Sequence, residues 1–107
     1  MKIFITGVAG FLGSHLADLM ISQGHSVAGN DNMIGGYFDN VPQDVEFHQV
    51  DCCDLENMTK AMEGCDVVYH TAATAYEGLS VFSPVLVTRN IFEASVTTIT
   101  AAIRNKV

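Results

Sequence analysis

Basic residues are few in this sequence: 5 Lys and Arg stand against 12 Asp and Glu, for a formal net charge of −7. The basic residues are scattered and form no stripe that could release counterions from a phosphate backbone, which argues against a nucleic-acid-binding protein. Long apolar runs are also absent, and none approaches the ~18–20 residues that a membrane-spanning helix needs. We therefore expect neither a nucleic-acid partner nor a membrane partner.

Cysteine is scarce as well, with Cys52, Cys53 and Cys65 as its only occurrences. The adjacent pair is poorly placed for a mutual disulfide, and an odd number of cysteines suits reduced thiols. The spacing lacks the Cys-x-x-Cys or His-x-x-x-His pairs of metal sites, so we expect no metal and interpret the cysteines as small buried apolar side chains. The first residues, MKI, lead into a predicted strand without a signal peptide, so we expect a cytoplasmic protein.

What is present is the composition of one packed domain. Hydrophobic residues make up 49% of the 107 residues and charged residues 16%. Short apolar runs alternate with segments of helical periodicity. We predict strands at 2–6, 25–30, 45–50 and 65–70, and helices at 11–23, about 55–63 and about 84–105. This alternation predicts an α/β fold, a Rossmann-like doubly wound parallel sheet with the strand order 3-2-1-4.

The apolar positions of each predicted helix indicate its core-facing side. We expect Gly24 to end the first helix and Asp54 to cap the second, and we interpret TAYEGLSVFSP, ahead of the third, as a loop. The expected core-facing residues are Leu12, Leu16, Leu19 and Met20 in the first helix, Leu55, Met58, Ala61 and Met62 in the second, and Val87, Ile91, Val96, Ile99 and Ile103 in the third.

A glycine pattern, GVAGFLG, follows the first strand. Between a strand and a helix this is the context of a dinucleotide fingerprint. Gly7 would allow a tight turn, Gly10 would let the backbone approach a pyrophosphate, and Gly13 would let the helix pack close to the strand. The amides at the helix N-terminus would then face the phosphates. Three glycines that merely begin a helix are the alternative interpretation.

An acidic residue favours the dinucleotide interpretation. Asp31 lies 18 residues beyond Gly13, at the end of the second predicted strand. A carboxylate there can accept hydrogen bonds from the ribose hydroxyls of adenosine and would repel a 2′-phosphate, so the pattern favours NAD over NADP. The alternative is a solvated aspartate in a turn.

With these motifs the sequence resembles the extended short-chain dehydrogenase/reductases, the NAD-dependent nucleotide-sugar epimerases and dehydratases. The resemblance rests on the Gly-x-x-Gly-x-x-Gly spacing within MKIFITGVAGFLGSHLADLMISQGHSVAGNDNMIGG and on VDCCDLENMTKAMEGCDVVYHTAA. It implies an oxidoreductase that binds NAD as its cofactor, acts on a nucleotide sugar and assembles as a homo-oligomer.

The resemblance also implies a set of cofactor-binding positions. Amides of the first helical turn would meet the pyrophosphate, Asp51 would accept from the adenine amino group, and the small residues after His70 would let a ribose lie against the backbone. From the residues alone, without the resemblance, Asp51 is more often a surface turn residue and His70 a strand-end histidine with its hydrogen bonds satisfied. The implied set is Gly7, Gly10, Phe11, Leu12, Gly13, Asp31, Asn32, Asp51, Cys52, Thr71, Ala72, Ala73 and Asn90.

The catalytic residues of the resembled family are a Ser or Thr and a Tyr-x-x-x-Lys pair. None of the three tyrosines, Tyr37, Tyr69 and Tyr76, is followed four residues later by lysine. We therefore assign no catalytic residue. We expect residues 1–107 to be the N-terminal portion of an NAD-binding Rossmann domain, truncated before its catalytic half, that binds NAD without turnover. A stand-alone, non-catalytic nucleotide-binding module and a structural domain with a decayed pocket are the alternatives.

Two further features predict association. In the strand order 3-2-1-4 the fourth strand, DVVYH, is an apolar edge, and exposed edges pair with other strands. The resemblance places the third helix in a dimer interface, where the apolar residues of that helix would find partners. The loop residues Tyr76 and Glu77 could contact a substrate or could be ordinary surface residues.

Overall fold

The computed structural model describes residues 1–107, and its framework is one parallel sheet of four strands. The strands are β1 (Lys2–Thr6), β2 (Ser26–Asn30), β3 (Val45–His48) and β4 (Val67–His70), in the order β3-β2-β1-β4. The predicted fold class and strand order are confirmed. In the paired register Thr6 lies level with Asn30 on one side and His70 on the other. The carboxyl ends of β1, β2 and β4 therefore meet at one edge of the sheet.

Five helices follow the strands: α1 (Phe11–Ser22), α2 (Leu55–Ala61), α3 (Glu77–Phe82), α4 (Pro84–Thr88) and α5 (Ala94–Arg104). A π-helical turn, Arg89–Glu93, joins α4 to α5, and a 3₁₀ turn, Phe38–Asn40, lies between β2 and β3. None of the helices is both long and apolar enough to cross a membrane. The third helix predicted at about 84–105 is present as α4 and α5, and the π turn interrupts it.

The loop predicted for TAYEGLSVFSP is wrong, because α3 lies within it. Ser83 separates α3 from α4, with φ −138° and ψ 61°. The ring of the following Pro84 disfavours helical backbone at the residue before it, while proline itself fits the first turn of a new helix. The proline thus divides one helical segment into two.

Helix termini follow their predicted signals. Gly24 adopts φ +86° directly after α1, a left-handed conformation that favours glycine. Asp54 precedes α2, and its Oδ1 accepts a hydrogen bond of 3.2 Å from the amide of Asn57. Both predictions are confirmed.

Side chains of β1 alternate between two apolar clusters, one on each face of the sheet. Phe4 packs on the side of α2 and α5, and Ile3 and Ile5 on the side of α1. The first cluster comprises Phe4, Ala28, Cys52, Met58, Ala61, Met62, Cys65, Ala94 and Ala101, and the second Ile3, Ile5, Val8, Ala17, Val27 and Val45. Two of the three cysteines are thus buried apolar side chains, as predicted, while Cys53 is partly exposed.

The predicted core face of α1 is only half right. Leu16 and Met20 pack against the second cluster, but Leu12 and Leu19 are exposed. The positions that α1 buries are Gly13, Ser14 and Ala17. α1 therefore buries its small residues most completely, and its larger apolar residues are at most partly buried.

The predicted core face of α5 is wrong in a similar way. α5 buries Ala94, Thr98 and Ala101, and packs through them near α2. Of the large apolar residues that were assigned to the core, Val87 is partly buried. The others are exposed: Ile91, Val96, Ile99 and Ile103. In α2, by contrast, Met58, Ala61 and Met62 are buried and Leu55 packs beside them, as predicted.

Candidate functional site

An open cleft of about 430 Å³ lies at the edge of the sheet where β1, β2 and β4 end. Its walls are the loops that follow these strands, the loop after β3, and residues of α4, the π turn and the start of α5. All the sequence-derived site residues except Leu12 and Gly13 line it: Gly7, Gly10, Phe11, Asp31, Asn32, Asp51, Cys52, Thr71, Ala72, Ala73 and Asn90. The fold therefore brings residues from distant parts of the sequence to one place.

The glycine pattern shapes the floor of the cleft. Gly7 has φ +69°, and a Cβ there would come within 2.9 Å of the Ala72 Cα. A Cβ at Gly13 would overlap the carbonyl of Gly7, so Gly13 allows α1 to lie close to the end of β1. The side chain of Leu12 is exposed and lies outside the cleft lining. A Cβ at Gly10 would meet only the Gly7 oxygen, at 3.2 Å, but would occupy space in the cleft. Gly7 thus allows the turn, Gly10 keeps the floor of the cleft open, and Gly13 allows the close helix contact.

The N-terminus of α1 supplies hydrogen-bond donors to this floor. The first intrahelical bond runs from the amide of Ser14 to the carbonyl of Gly10, at 3.1 Å. The amides of Phe11, Leu12 and Gly13 precede it and have no acceptor within the helix. Gly10, as the residue before the helix, offers no capping side chain. The helix dipole and these free amides favour an anion at this point.

Asp31 follows β2 and is 8% exposed, so it is not a solvated turn residue. Its Oδ2 accepts a hydrogen bond of 3.1 Å from the amide of Ala9, and its Oδ1 accepts one of 2.9 Å from the amide of Met33. The carboxylate therefore links the glycine-rich loop to the end of β2. Beside it, Asn32 Oδ1 accepts from the amide of Ile34 at 3.1 Å and shapes the next turn.

Asp51 and Cys52 form the opposite end of the cleft. Asp51 Oδ1 accepts a hydrogen bond of 2.8 Å from the amide of Cys53, and Oδ2 accepts one of 3.2 Å from Arg89 Nη1. Partial burial opposes ionisation of Asp51, but these bonds outweigh it and hold its pKa below the usual value. Cys52 is buried behind it, where Asn30 Nδ2 contacts its Sγ at 3.3 Å and desolvation raises the pKa of the thiol.

Thr6, which the sequence analysis did not single out, organises the start of the loop after β4. Its Oγ1 accepts from the amides of Thr71 and Ala72, at 3.0 and 3.1 Å. The Thr6 hydroxyl proton is then available to His70 Nδ1, which lies 2.7 Å away. The only sequence signal was a polar residue closing an apolar strand.

The same network assigns the protons of His70. Ser95 Oγ donates to the carbonyl of Ile91, so it accepts from His70 Nε2, at 3.0 Å. Neutral His70 thus carries its proton on Nε2 and accepts at Nδ1. Partial desolvation lowers the pKa of His70, in the direction that keeps this arrangement.

The remaining wall comes from the helical segment after β4. Asn90, on the π turn, donates from Nδ2 to Thr74 Oγ1 at 3.0 Å. Tyr76 lines the cleft and Glu77 does not. Residues that the sequence analysis missed complete the lining, and no local motif marked them: Asn30, Ile34, Gly35, Gly36, Thr74, Ala75, Leu79, Leu86 and Ala94.

Comparison with protein families places this geometry among known proteins. Residues 3–107 match the model of the NAD dependent epimerase/dehydratase family. Protein CapI of Staphylococcus aureus is 36% identical over 95 residues, which cover 78% of this chain and 28% of that protein. UDP-glucose 4-epimerase of Corynebacterium glutamicum is 34% identical over 84 residues, which cover 78% of this chain and 26% of that enzyme.

Solved structures give the same result. UDP-glucose 4-epimerase of Thermotoga maritima, in complex with UDP-glucose, superposes with a TM-score of 0.96 at 30% identity and covers 100% of this chain. UDP-glucose 4-epimerase of Thermus thermophilus, in complex with NAD, superposes with a TM-score of 0.93 at 33% identity, again over 100% of this chain. In both comparisons the match spans 35% of the solved chain.

The His70 network predicts how stability depends on pH. Folding lowers the pKa of His70, so His70 binds a proton more tightly in the unfolded chain than in the folded one. The contribution of neutral His70 to folding stability is therefore complete above the unfolded pKa of about 6.5. We expect the free energy of unfolding to fall as pH drops below that value, and His70→Gln to remove part of this fall. Urea unfolding between pH 5 and 8 measures it.

An NMR titration supplies the control. The imidazole resonance that disappears in His70→Gln identifies His70, and its midpoint is expected below about 6.5. A midpoint above that value would contradict the lowered pKa of His70 and with it the expected pH dependence of stability.

Proposed function

The chain belongs to the NAD dependent epimerase/dehydratase family, and from that premise we propose that residues 1–107 bind NAD for an epimerase- or dehydratase-like oxidoreductase. One observation carries the proposal: Gly10 and Phe11, at the start of α1, line the same cleft as Asp31, whose Oδ2 accepts a hydrogen bond from the amide of Ala9 in the loop just before α1. A positive helix end beside a buried carboxylate suits a pyrophosphate joined to a ribose.

The residues of the cleft fit the parts of NAD in order. The amides of Phe11 and Leu12 would hold the pyrophosphate, over the space that a side chain at Gly10 would fill. Asp31 would accept from the adenosine ribose, and Asp51 from the adenine amino group. The other ribose would lie against the small residues that follow β4, Thr71–Ala73. A cleft of about 430 Å³ is within the usual range of ~300–1,000 Å³ for ligand sites.

Asp31 supports the choice of NAD over NADP. Its two oxygens are already held by amides of Ala9 and Met33, so the carboxylate cannot turn away from a ligand. A 2′-phosphate beside it would bring a second anion next to a buried carboxylate, and charges at a buried group are screened less than charges on the surface. The ribose hydroxyls can instead donate to it.

The chemistry of the reaction extends beyond these residues. When bound, NAD would supply hydride transfer to and from a substrate carbon, and relatives such as the Thermotoga enzyme are named for a UDP-sugar. We accordingly propose a nucleotide sugar as the substrate class. None of the three tyrosines has a lysine four residues later, so residues 1–107 by themselves are proposed to bind NAD without turnover.

We also propose that the exposed side of α5 joins copies of the protein. Val96, Ile99 and Ile103 of α5, which we call the α5 apolar face, follow the three- and four-residue steps of heptad spacing and are exposed. Heptad spacing of apolar residues is typical of helices that pack against other helices. The face is contiguous with the exposed residues of α4, so a second copy could cover both.

The purified chain is expected to bind NAD with one-to-one stoichiometry in isothermal titration calorimetry. With NAD and UDP-glucose supplied together, it is expected to leave the sugar unchanged, since loss of one general acid–base group alone typically slows such chemistry ~10²–10⁴-fold. Absence of NAD binding would contradict the proposed function. Steady epimerisation by the pure chain would contradict the absence of turnover.

Asp31→Asn preserves size and removes the charge. We expect it to weaken NAD binding roughly tenfold to hundredfold, because a hydrogen bond to a charged group contributes about 1.5–3 kcal/mol, and to narrow the preference for NAD over NADP. The matched control is Asp39→Asn, the same charge change on an exposed aspartate of the 3₁₀ turn that lies outside the cleft lining. Equal affinity of the unchanged chain for both cofactors would disprove the role of Asp31.

Ile99→Lys tests the α5 apolar face, because a lysine there would place a charge in the proposed contact. Ile99 is 59% exposed, so the substitution is expected to leave the fold intact while shifting sedimentation toward the monomer. Leu19→Lys, on the exposed side of α1, is the control and should sediment like the unchanged chain. Identical sedimentation of the Ile99 variant and the unchanged chain would exclude this face.

A further inference from the structure

The π turn between α4 and α5 places two polar side chains at one end of the cleft. Arg89 and Asn90 are its first two residues. A π turn inserts an extra residue into a helix, so consecutive side chains can serve positions that a regular helix would not bring to one surface, and such turns are frequent at functional sites. Here each of the two residues contacts a different wall of the cleft.

Arg89 connects these walls. Its Nη1 donates to Asp51 Oδ2 at 3.2 Å and to Asn90 Oδ1 at 3.3 Å. Asn90 Nδ2 in turn donates to Thr74 Oγ1 at 3.0 Å. A continuous line of hydrogen bonds therefore runs from the loop after β3, through the π turn, to the loop after β4.

Arg89 acts from behind the cleft. Asp51, Asn90 and Thr74 line it, whereas Arg89 does not. Both side chains of the Asp51–Arg89 pair are partly exposed, and an ion pair of that kind contributes little to folding stability. Its consequence is geometric, because the Cys53 amide holds Oδ1 while Arg89 holds Oδ2. Both oxygens of Asp51 are thus fixed.

A fixed, ionised carboxylate distinguishes purines at their 6-position. It can accept from the 6-amino group of adenine, but it has no proton to donate to the 6-oxo group of hypoxanthine. A carboxylate that could rotate, or that could bind a proton easily, would discriminate less. The guanidinium of Arg89, always charged and able to hold two acceptors at once, opposes both changes.

We propose that Arg89 is a positioning residue that makes the adenine end of the cleft selective for 6-aminopurines, acting through Asp51. The inference rests on the proposed function, since it takes an adenine dinucleotide as the ligand. It adds to that function a residue outside the cleft lining, Arg89, that determines ligand selectivity, and a preference for a 6-amino group on the purine.

Binding of NAD and of nicotinamide hypoxanthine dinucleotide, compared in the same calorimeter, tests the proposal. The unchanged chain is expected to prefer NAD roughly tenfold or more, the order that one hydrogen bond supports. Arg89→Met is expected to reduce the ratio of the two affinities to within about threefold, chiefly by weakening the binding of NAD. Arg89→Lys, which keeps the charge, is expected to recover part of the ratio.

Two matched variants make the test specific. Arg104→Met removes a comparable ion pair, Arg104 to Glu56 at 3.0 Å, which lies outside the cleft, and should leave the ratio unchanged. Asp51→Asn keeps Arg89 but gives the site an amide that can also donate, and should lower the ratio too.

The outcomes separate the inference from the function it rests on. If Arg89→Met weakens both dinucleotides equally, Arg89 is merely structural and the inference is overturned while NAD binding stands. If the unchanged chain binds neither dinucleotide, the proposed function fails and the inference fails with it. A reduced ratio in Arg104→Met equal to that in Arg89→Met would also overturn the inference.

Discussion

The contact between the start of α1 and the end of β1 is the constraint on which the site depends. Gly13 lies so close to the Gly7 carbonyl that any side chain would overlap it, and Gly7 has almost as little space beside Ala72. This approach brings the free amides of the first helical turn to the edge of the sheet. The loop that makes this contact also carries the Ala9 amide, which donates to Asp31, so the start of α1 and the carboxylate of Asp31 line one cleft.

Much of this arrangement follows from local sequence patterns. Apolar runs bounded by turn residues predict the four strands, and the glycine spacing with Asp31 predicts the floor of the cleft. These signals work because they depend on backbone geometry: a left-handed turn at Gly7, a contact without Cβ at Gly13. The residues that carry them are near one another in sequence, so no knowledge of the tertiary packing is needed to interpret them.

The errors and omissions arise where tertiary contacts decide. Hydrophobicity assigns the large side chains of α5 to the core, but the close approach of that helix favours Ala94, Thr98 and Ala101. Hydrogen bonds between polar side chains that are distant in sequence are a second kind of omission. Arg89 lies 38 residues from Asp51, and no periodicity in the sequence announces such a pair. The same holds for Thr6, whose partners follow β4.

The order of the strands also affects synthesis of the chain. Of the four strands β1 is made first, but one of its two neighbours, β4, follows 64 positions later along the chain, counted from Thr6 to His70. At a translation rate of ~5–20 residues per second, this interval lasts roughly 3–13 s. During that time the β4-facing edge of β1, with its apolar Ile3, Phe4 and Ile5, has no native partner. Until β4 is made, this edge of β1 can therefore pair with strands other than its native neighbour.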